Sequence, residues 1–253
     1  MSRNYRFLPF LGLLALMSCH SRLQIRQVDA EKNIPIQPGM QEDAAIMEVI
    51  APYRKSLESQ MNSVISHTSV DLTKTGDNSS LGNLLADYTF DAAQEWAQKN
   101  HRHGIDAALI NIGGIRSTIG KGSILLRHIF EIMPFENELV IVKIKGKDLN
   151  GLFDYYLKSQ KNDPVSRIII ETGQGRISKA LINGEEVNPD SDYYIATSDY
   201  LALGGDNMTF FSKGTSINTG EKLRDLYIQK FKEHPEVIPP DDVRLIFKDK
   251  KAE

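Results

Sequence analysis

The order of apolar and polar positions along this chain predicts helices in several segments. Apolar residues recur every three or four positions over 42–61 and Ser80–Lys99, and this spacing is typical of amphipathic helices. Ser79 or Ser80 can cap the second of them, because both carry a side-chain oxygen just ahead of the periodic region. Further segments with helical spacing are 124–133 (a short helix or turn), 146–156 and 223–231.

Strands are predicted where apolar residues alternate with polar ones or form short continuous runs. These segments are 64–72, 105–112, 138–144, 167–171, 176–182, 193–197 and 243–247. Asn183-Gly184 predicts a turn between two of them. Because strands and helices mix without a regular β–α–β order, the pattern favours an α+β fold, a mixed β-sheet flanked by helices.

The N-terminal region has the proportions of an export signal. Arg3 and Arg6 precede an apolar run at 7–17, which is too short to span a bilayer as a stable helix and ends in Leu-Met-Ser-Cys. This ending resembles a bacterial lipobox, so a lipid on Cys19 is expected to anchor the protein to a membrane of the bacterial cell envelope, on the periplasmic side or at the cell surface. The alternative is a plain secretory signal with an incidental cysteine.

These features divide the chain into three parts. We predict a lipoprotein signal peptide at 1–18, a lipidated N-terminus and flexible tether at 19–41, and one globular domain at 42–253. The tether is mostly polar, contains Pro35 and Pro38, and shows no clear period.

The composition narrows the class of protein. Of the 253 residues, 41% are hydrophobic and 25% are charged, as in an ordinary globular protein. The formal net charge of −3 gives no reason to expect a nucleic-acid partner, since such proteins usually present a basic face. Cys19 is the only cysteine, so the fold must depend on its core rather than on disulfides.

A glycine-rich turn follows the predicted strand at 105–112. Its sequence is Asn111-Ile-Gly113-Gly114-Ile-Arg116. The two glycines allow the backbone to turn sharply and approach a ligand, and the arginine can bind phosphate or ribose oxygens. Taken alone, the motif is also compatible with a tight turn that carries a surface arginine.

Two further clusters place aromatic rings near polar side chains. Met-Pro-Phe135-Glu-Asn137 precedes a predicted strand, and a ring at this loop could stack on a planar base or simply belong to the core. The segment 199–207 carries Tyr200 and the triplet Gly-Gly205-Asp206. Its aspartate could accept hydrogen bonds from ribose hydroxyls, or it could merely cap a loop.

Taken in this order, and with Leu-Gly-Asn-Leu-Leu-Ala-Asp at 81–87, these motifs resemble the C-terminal, substrate-binding domain of the 5′-nucleotidase family over about residues 60–248. The resemblance implies that Phe135 and Tyr200 sandwich a base. It implies that Asp206 holds ribose hydroxyls and that Arg116 meets ribose and phosphate oxygens. The further residues expected to contact the base or to bring backbone close to the ligand are Asn111, Asn137, Gly113, Gly114 and Gly205.

The sequence departs from the usual pattern of the family at five positions. Lys74 stands near a position where family members often have an arginine. A lysine is at best a point-charge substitute, because it lacks the planar, two-pronged set of donors with which arginine binds a phosphate. Tyr200 replaces a phenylalanine, which preserves stacking and adds a hydroxyl. Glu136 replaces a glycine and could repel a phosphate or point to water. Asn207-Met208 replaces a glycine-aromatic pair.

The resemblance assigns hydrolysis to a different domain, which holds two metal ions through Asp-x-His and Gly-Asn-His-Glu motifs. Neither string occurs in these 253 residues. His101 and His103 are the only histidines close in sequence, and a solvated helix end is the simpler interpretation for them. We therefore expect no catalytic residue and no cofactor in this chain, with divalent metals only in a partner catalytic domain.

Three hypotheses follow from the sequence. In the first, the protein binds a nucleoside or nucleoside monophosphate and supplies substrate recognition to a separately encoded metallophosphatase. In the second, it is a non-enzymatic envelope module that captures nucleosides for uptake or sensing. In the third, it is a structural envelope protein whose pocket is vestigial.

Overall fold

The computed structural model of the protein describes residues 25–30 and 32–250, which fall into two units divided between Val49 and Ile50. The predicted signal peptide and Cys19 lie outside the described residues, so the lipid anchor stays a prediction. In the part of the chain that is described, no helix is long and apolar enough to cross a membrane. The described residues ahead of Asp43 contain a single turn and otherwise no regular structure.

Helix α1 (Ala44–Met61) confirms the first predicted helix and includes Pro52. It begins where Asp43 Oδ1 accepts hydrogen bonds from the backbone amides of Ala45 and Ile46, at 2.9 and 3.1 Å. None of its residues is buried, so the helical spacing of its apolar residues does not correspond to a face packed in a core.

The helices and strands of the second unit follow one another irregularly along the chain. In chain order they are β1 (Val64–Thr68), α2 (Ser80–Lys99), β2 (Ala107–Leu109), β3 (Gly122–Leu125), α3 (Leu126–Ile132), β4 (Glu138–Lys145), α4 (Gly146–Ser159), β5 (Val165–Ser166), β6 (Ile168–Gly173), β7 (Arg176–Ile182), β8 (Glu185–Glu186), β9 (Asp192–Ser198), α5 (Asp199–Ala202), β10 (Thr215–Lys222), α6 (Leu223–Glu233), β11 (Glu236–Val237) and β12 (Leu245–Phe247). Short 3₁₀ turns occur at Ile112–Gly114, Gly205–Asn207 and Thr209–Lys213.

The strands form three sheets, with the orders β11-β1-β3, β10-β4-β9-β2-β5 and β12-β6-β7-β8. The pairs β1–β11, β2–β9 and β6–β12 are parallel, and the other pairs are antiparallel. Mixed sheets with helices around them confirm the predicted α+β class.

Both faces of the five-stranded sheet are buried. Along β4, Leu139 and Ile141 belong to an apolar cluster that includes residues of α2, α3 and α6. The alternate residues Val140 and Val142 belong to a second cluster, with residues of α4, β6 and β12. Burying one such side chain contributes about 1.5–3 kcal/mol to the free energy of unfolding. Because its side chains are buried on both faces, this sheet contributes strongly to the stability of the unit.

Several predicted elements are shorter or different from the expectation. The strand predicted at 64–72 ends at Thr68, and Leu72 forms only an isolated bridge with Ile119. The strand predicted at 105–112 is limited to β2, because the chain turns into the glycine-rich segment. The segment predicted as a helix or turn at 124–133 begins in β3 and becomes α3 at Leu126.

A buried arginine connects the last strand to α2. Arg244 is 6% exposed, and its guanidinium nitrogens lie 2.7–2.8 Å from both carboxylate oxygens of Asp87. It also binds the carboxylate of Asp242 and the carbonyl oxygen of Val165. Ser166 donates a further hydrogen bond of 2.6 Å to Asp87. The guanidinium of Arg244 and the carboxylate of Asp87 therefore both have hydrogen-bond partners inside the protein.

Arg244→Ala is expected to lower the free energy of unfolding by about 3 kcal/mol, because it leaves the carboxylate of Asp87 without its cation in a half-buried site. Urea denaturation measures this change. The matched control is Arg176→Ala on the exposed side of β7, which should change stability by less than about 0.5 kcal/mol. Equal stability of the two variants would contradict a structural role for Arg244.

Candidate functional site

The three loops that carry the sequence motifs meet at one edge of the five-stranded sheet. β9 is antiparallel to β4, with Leu139 paired to Ser198, and parallel to β2. The ends of β2 and β9 and the beginning of β4 therefore lie at the same edge. The loops that leave or enter the sheet there are 110–116, 133–137 and 199–207.

The glycine-rich turn is a 3₁₀ turn closed by a hydrogen bond of 3.0 Å from the amide of Gly114 to the carbonyl of Asn111. A Cβ atom on Gly114 would lie 2.9 Å from Asn111 Oδ1, so a side chain there would displace the asparagine amide. The guanidinium of Arg116 donates to the carbonyl of Gly113 at 3.0 Å. Gly114 thus leaves room for the Asn111 amide, and the carbonyl of Gly113 provides an acceptor for Arg116.

The loop after β9 is bonded to this turn. Asn111 Nδ2 donates to Asp206 Oδ2 at 3.0 Å, and the hydroxyl of Tyr200 donates to Asp206 Oδ1 at 3.1 Å. Gly204 and Asp206 have φ angles of 92° and 51°, which hold the tight bend that returns the aspartate towards the tyrosine. The carboxylate is half-buried and has one hydrogen-bond donor on each oxygen.

Neither of the two predicted stacking rings belongs to the core. Phe135 is 43% exposed and Tyr200 is 44% exposed. The guanidinium carbon of Arg116 lies 6.0 Å from the centroid of the Phe135 ring. The glycine-rich turn therefore has Phe135 beside its Arg116 and is linked to the Tyr200 loop through Asn111 and Asp206.

Asn137 is half-buried directly ahead of β4, and its backbone carbonyl accepts a hydrogen bond of 2.9 Å from the amide of Leu223. The structure therefore brings every predicted substrate-binding residue to the same edge of the sheet. Their roles towards a ligand stay predictions.

The two charged departures from the family pattern are explained by their contacts. The carboxylate of Glu136 is bound by the side chains of Lys222 and Arg224, whose hydrogen bonds lower the pKa of Glu136. Its negative charge is therefore balanced locally rather than directed at the site. Lys74 Nζ donates to the carbonyl of Ile115 at 2.7 Å, which places this cation beside Arg116.

A buried carboxylate that the sequence pattern did not reveal lies next to the site. Asp163 is 1% exposed and precedes β5, and its Oδ1 accepts a hydrogen bond of 2.8 Å from the amide of Ile112. Its Oδ2 accepts a hydrogen bond of 2.6 Å from Tyr155. The two-residue strand β5 has no recognisable pattern, so the only available signal was an aspartate ahead of Pro164.

A cavity of about 470 Å³ adjoins the loop of Asp206. Asp206 and Asn207 form one wall, and Tyr155 and the buried Phe210 contribute aromatic surface. Its rim also carries three lysines, Lys158, Lys161 and Lys213. The candidate site therefore borders a concave surface, because Asp206 belongs to both.

The residues that the structure describes do not fit a dimetal centre. Among them, no group of three or more His, Cys, Asp or Glu side chains is placed to hold a metal ion. His67 binds Glu236, and His103 stacks on Tyr194 at 5.0 Å instead of facing a carboxylate cluster.

Comparison with known proteins gives a consistent result. The sequence model of the family described as "5′-nucleotidase, C-terminal domain" matches residues 63–213. The trifunctional nucleotide phosphoesterase protein YfkN of Bacillus subtilis is 28% identical over 210 residues, which are 75% of this chain and 14% of that protein. The 5′-nucleotidase of Vibrio vulnificus is 25% identical over 236 residues, which are 84% of this chain and 40% of that protein.

Among solved structures, that of the 5′-nucleotidase precursor from Thermus thermophilus is similar with a TM-score of 0.67 at 24% identity. The similarity covers 83% of this chain and 44% of that chain, and it concerns the fold. In each of these comparisons the chain spans less than half the length of the relative.

Gly205→Ala is expected to destabilise the protein by about 1–3 kcal/mol and to displace the Tyr200 ring. A Cβ atom there would lie 2.5 Å from two atoms of that ring and 2.6 Å from the carbonyl of Tyr200, so the loop must move. Denaturant unfolding measures the loss of stability. Gly113→Ala is the control, because its Cβ would lie 3.7 Å from the nearest atom, an ordinary contact. If both variants unfold like the wild type, the loop is not tightly packed.

Proposed function

The chain belongs to the family of 5′-nucleotidase C-terminal domains, and we propose that it binds a nucleoside or nucleoside monophosphate and supplies substrate recognition to a separately encoded metallophosphatase in nucleotide hydrolysis. The single observation that carries the proposal is the pair of half-exposed rings at one sheet edge: Phe135 lies beside Arg116, and Tyr200 is hydrogen-bonded to Asp206.

The base of the ligand occupies the space beside the two rings. An aromatic ring stacked on a base contributes about 1–3 kcal/mol, and stacking tolerates different bases because every base has a flat face. Phe135 reaches this position from the loop before β4, and Tyr200 from the loop after β9. Because the rings come from different loops, they can approach a flat ligand from two sides.

The ribose binds at Asp206. An ionised carboxylate has about four acceptor positions, and Asn111 and Tyr200 use two of them. The remaining positions accept hydrogen bonds from two neighbouring hydroxyls, so the ligand need not displace the bonds that hold the loop. Asn111 stays next to the base and the ribose because its amide is fixed on the same carboxylate.

The phosphate side of the ligand faces Arg116 and Lys74. The guanidinium of Arg116 is exposed and makes one bond to a backbone carbonyl, so it keeps further donors for phosphate oxygens. Lys74 adds a point charge next to it, because its ammonium group is bonded to the carbonyl of the preceding residue, Ile115. Glu136 does not oppose this charge, because Lys222 and Arg224 already balance it.

Hydrolysis, in this proposal, takes place on a metallophosphatase domain of another polypeptide. The curated relatives that the chain matches are more than twice its length, which leaves ample room in them for a second domain. Lipid on Cys19 would hold the protein at the cell envelope. Anchoring of both partners to one membrane would raise their local concentration, so that a weak interface suffices.

Phe135→Ala and Tyr200→Ala are each expected to weaken adenosine binding by about 1–3 kcal/mol, because each removes one stacking surface. Tyr200→Phe should retain most of the affinity, since the ring remains. Isothermal titration calorimetry measures all three. The control is Leu203→Ala in the same loop, whose side chain is 88% exposed and makes no part of the proposed site. Unchanged affinity in both alanine variants would rule out a base sandwich.

The protein alone is expected to bind AMP and to release no phosphate from it in the presence of Mn²⁺ or Zn²⁺. The physical reason is that the described residues provide no cluster of metal ligands. A phosphate-release assay, run beside calorimetry on the same preparation, checks both halves of the statement. Metal-dependent release of phosphate that persists after the protein is repurified would contradict the proposal that hydrolysis takes place on another polypeptide.

A further inference from the structure

We propose that Asp163 is a positioning residue of the nucleoside site, which holds the glycine-rich turn so that Asn111 and Asp206 meet the ligand in a fixed arrangement. The inference rests on the proposed function, because it concerns the same site. Asp163 does not touch the ligand; it acts through the turn.

The strand that follows Asp163 places it at the edge where the site lies. β5 is antiparallel to β2, with Val165 paired to Leu109, so the residues just before β5 lie beside those just after β2. The amide of Ile110 donates to the carbonyl of Pro164 at 3.0 Å, which extends this pairing to the start of the turn.

The carboxylate of Asp163 is held by donors from two sides. Oδ1 accepts from the amide of Ile112 and Oδ2 accepts from the hydroxyl of Tyr155. Its own carbonyl accepts a hydrogen bond of 2.7 Å from the hydroxyl of Tyr156. Three hydrogen bonds to one buried residue fix both its side chain and its backbone, so it is a rigid point against which the turn can be held.

Burying a carboxylate costs free energy, because the charged group loses its hydration. Burial raises the pKa of Asp163, whereas the bonds from Tyr155 and Ile112 and the charge of Lys161 lower it, and the negative charge of Asp206 adds a smaller rise. Burial and the bond to Asp163 also raise the pKa of the Tyr155 hydroxyl, which keeps it a donor. The two donors thus stabilise the charged carboxylate against the cost of its burial.

Two carboxylates thus hold consecutive residues of the turn. Asp206 binds the side chain of Asn111, and Asp163 binds the backbone amide of Ile112. The next two residues are glycines, which have the most backbone freedom to lose. Without the bond to Ile112, the turn must be ordered when the ligand binds, and that ordering lowers the affinity.

The test compares adenosine binding by calorimetry to Asp163→Ala and Asp163→Asn. The alanine variant should lose about tenfold in affinity, because no acceptor remains for the Ile112 amide. The asparagine variant keeps a carbonyl oxygen for that amide and should stay within about threefold of the wild type. Asp154→Asn, an exposed carboxylate on α4 beside Tyr155, is the control for the loss of charge.

Amide hydrogen exchange of Ile112 provides a readout that general destabilisation would not single out. It should accelerate in Asp163→Ala relative to amides of β4, and it should stay protected in Asp163→Asn. If Asp163→Ala does not fold, Tyr155→Phe replaces it: this variant frees one carboxylate oxygen and should weaken binding by about two- to fivefold.

The outcomes separate this inference from the proposed function. Wild-type affinity in Asp163→Ala, or an equal loss in the alanine and asparagine variants, would overturn the role of Asp163 while adenosine binding stands. Absence of adenosine binding by the wild-type protein would instead overturn the proposed function, and the inference with it.

Discussion

The register of β4, β9 and β2 is the constraint on which the rest of this structure depends. Because side chains alternate across a sheet, this register places Leu139 in one apolar cluster and Val140 in the other. The same register brings the ends of β2 and β9 to the beginning of β4, where the site loops lie. A shift by one residue would exchange the side chains that face the two clusters and would separate the loops, so the core and the site are specified by the same backbone bonds.

Much of the fold follows from sequence spacing where that spacing is regular. α2, α4, α6, β4 and β7 begin and end within a few residues of the prediction, because their apolar residues face a continuous core. β10 was missed, since it is an edge strand in which exposed polar residues alternate with half-buried ones. β5 and β8 have two residues each, too few for any period. The apolar spacing of α1 predicted the helix but not the exposure of its side chains.

The site could be predicted as a set of motifs but not as a network. The positions of Phe135, Arg116 and Asp206 at one edge agree with the motif analysis, because each motif adjoins a strand of the same sheet. Lys222 and Arg224, which bind Glu136, lie 86 and 88 residues away along the chain, and a local sequence pattern cannot predict so distant a contact. Asp163 was missed for a related reason. It is part of the site because it binds the backbone amide of Ile112, and a sequence does not show which side chain binds a given backbone amide.

The contacts of Arg244 bear on where this domain can be cut. The family model matches the chain only as far as residue 213, yet β10 pairs with β4, α6 packs in the larger cluster, and Arg244 joins the last strand to α2. A fragment that ended at residue 213 would expose one side of the central sheet and leave Asp87 without its counter-ion. The unit that folds is therefore longer than the segment that the family model matches.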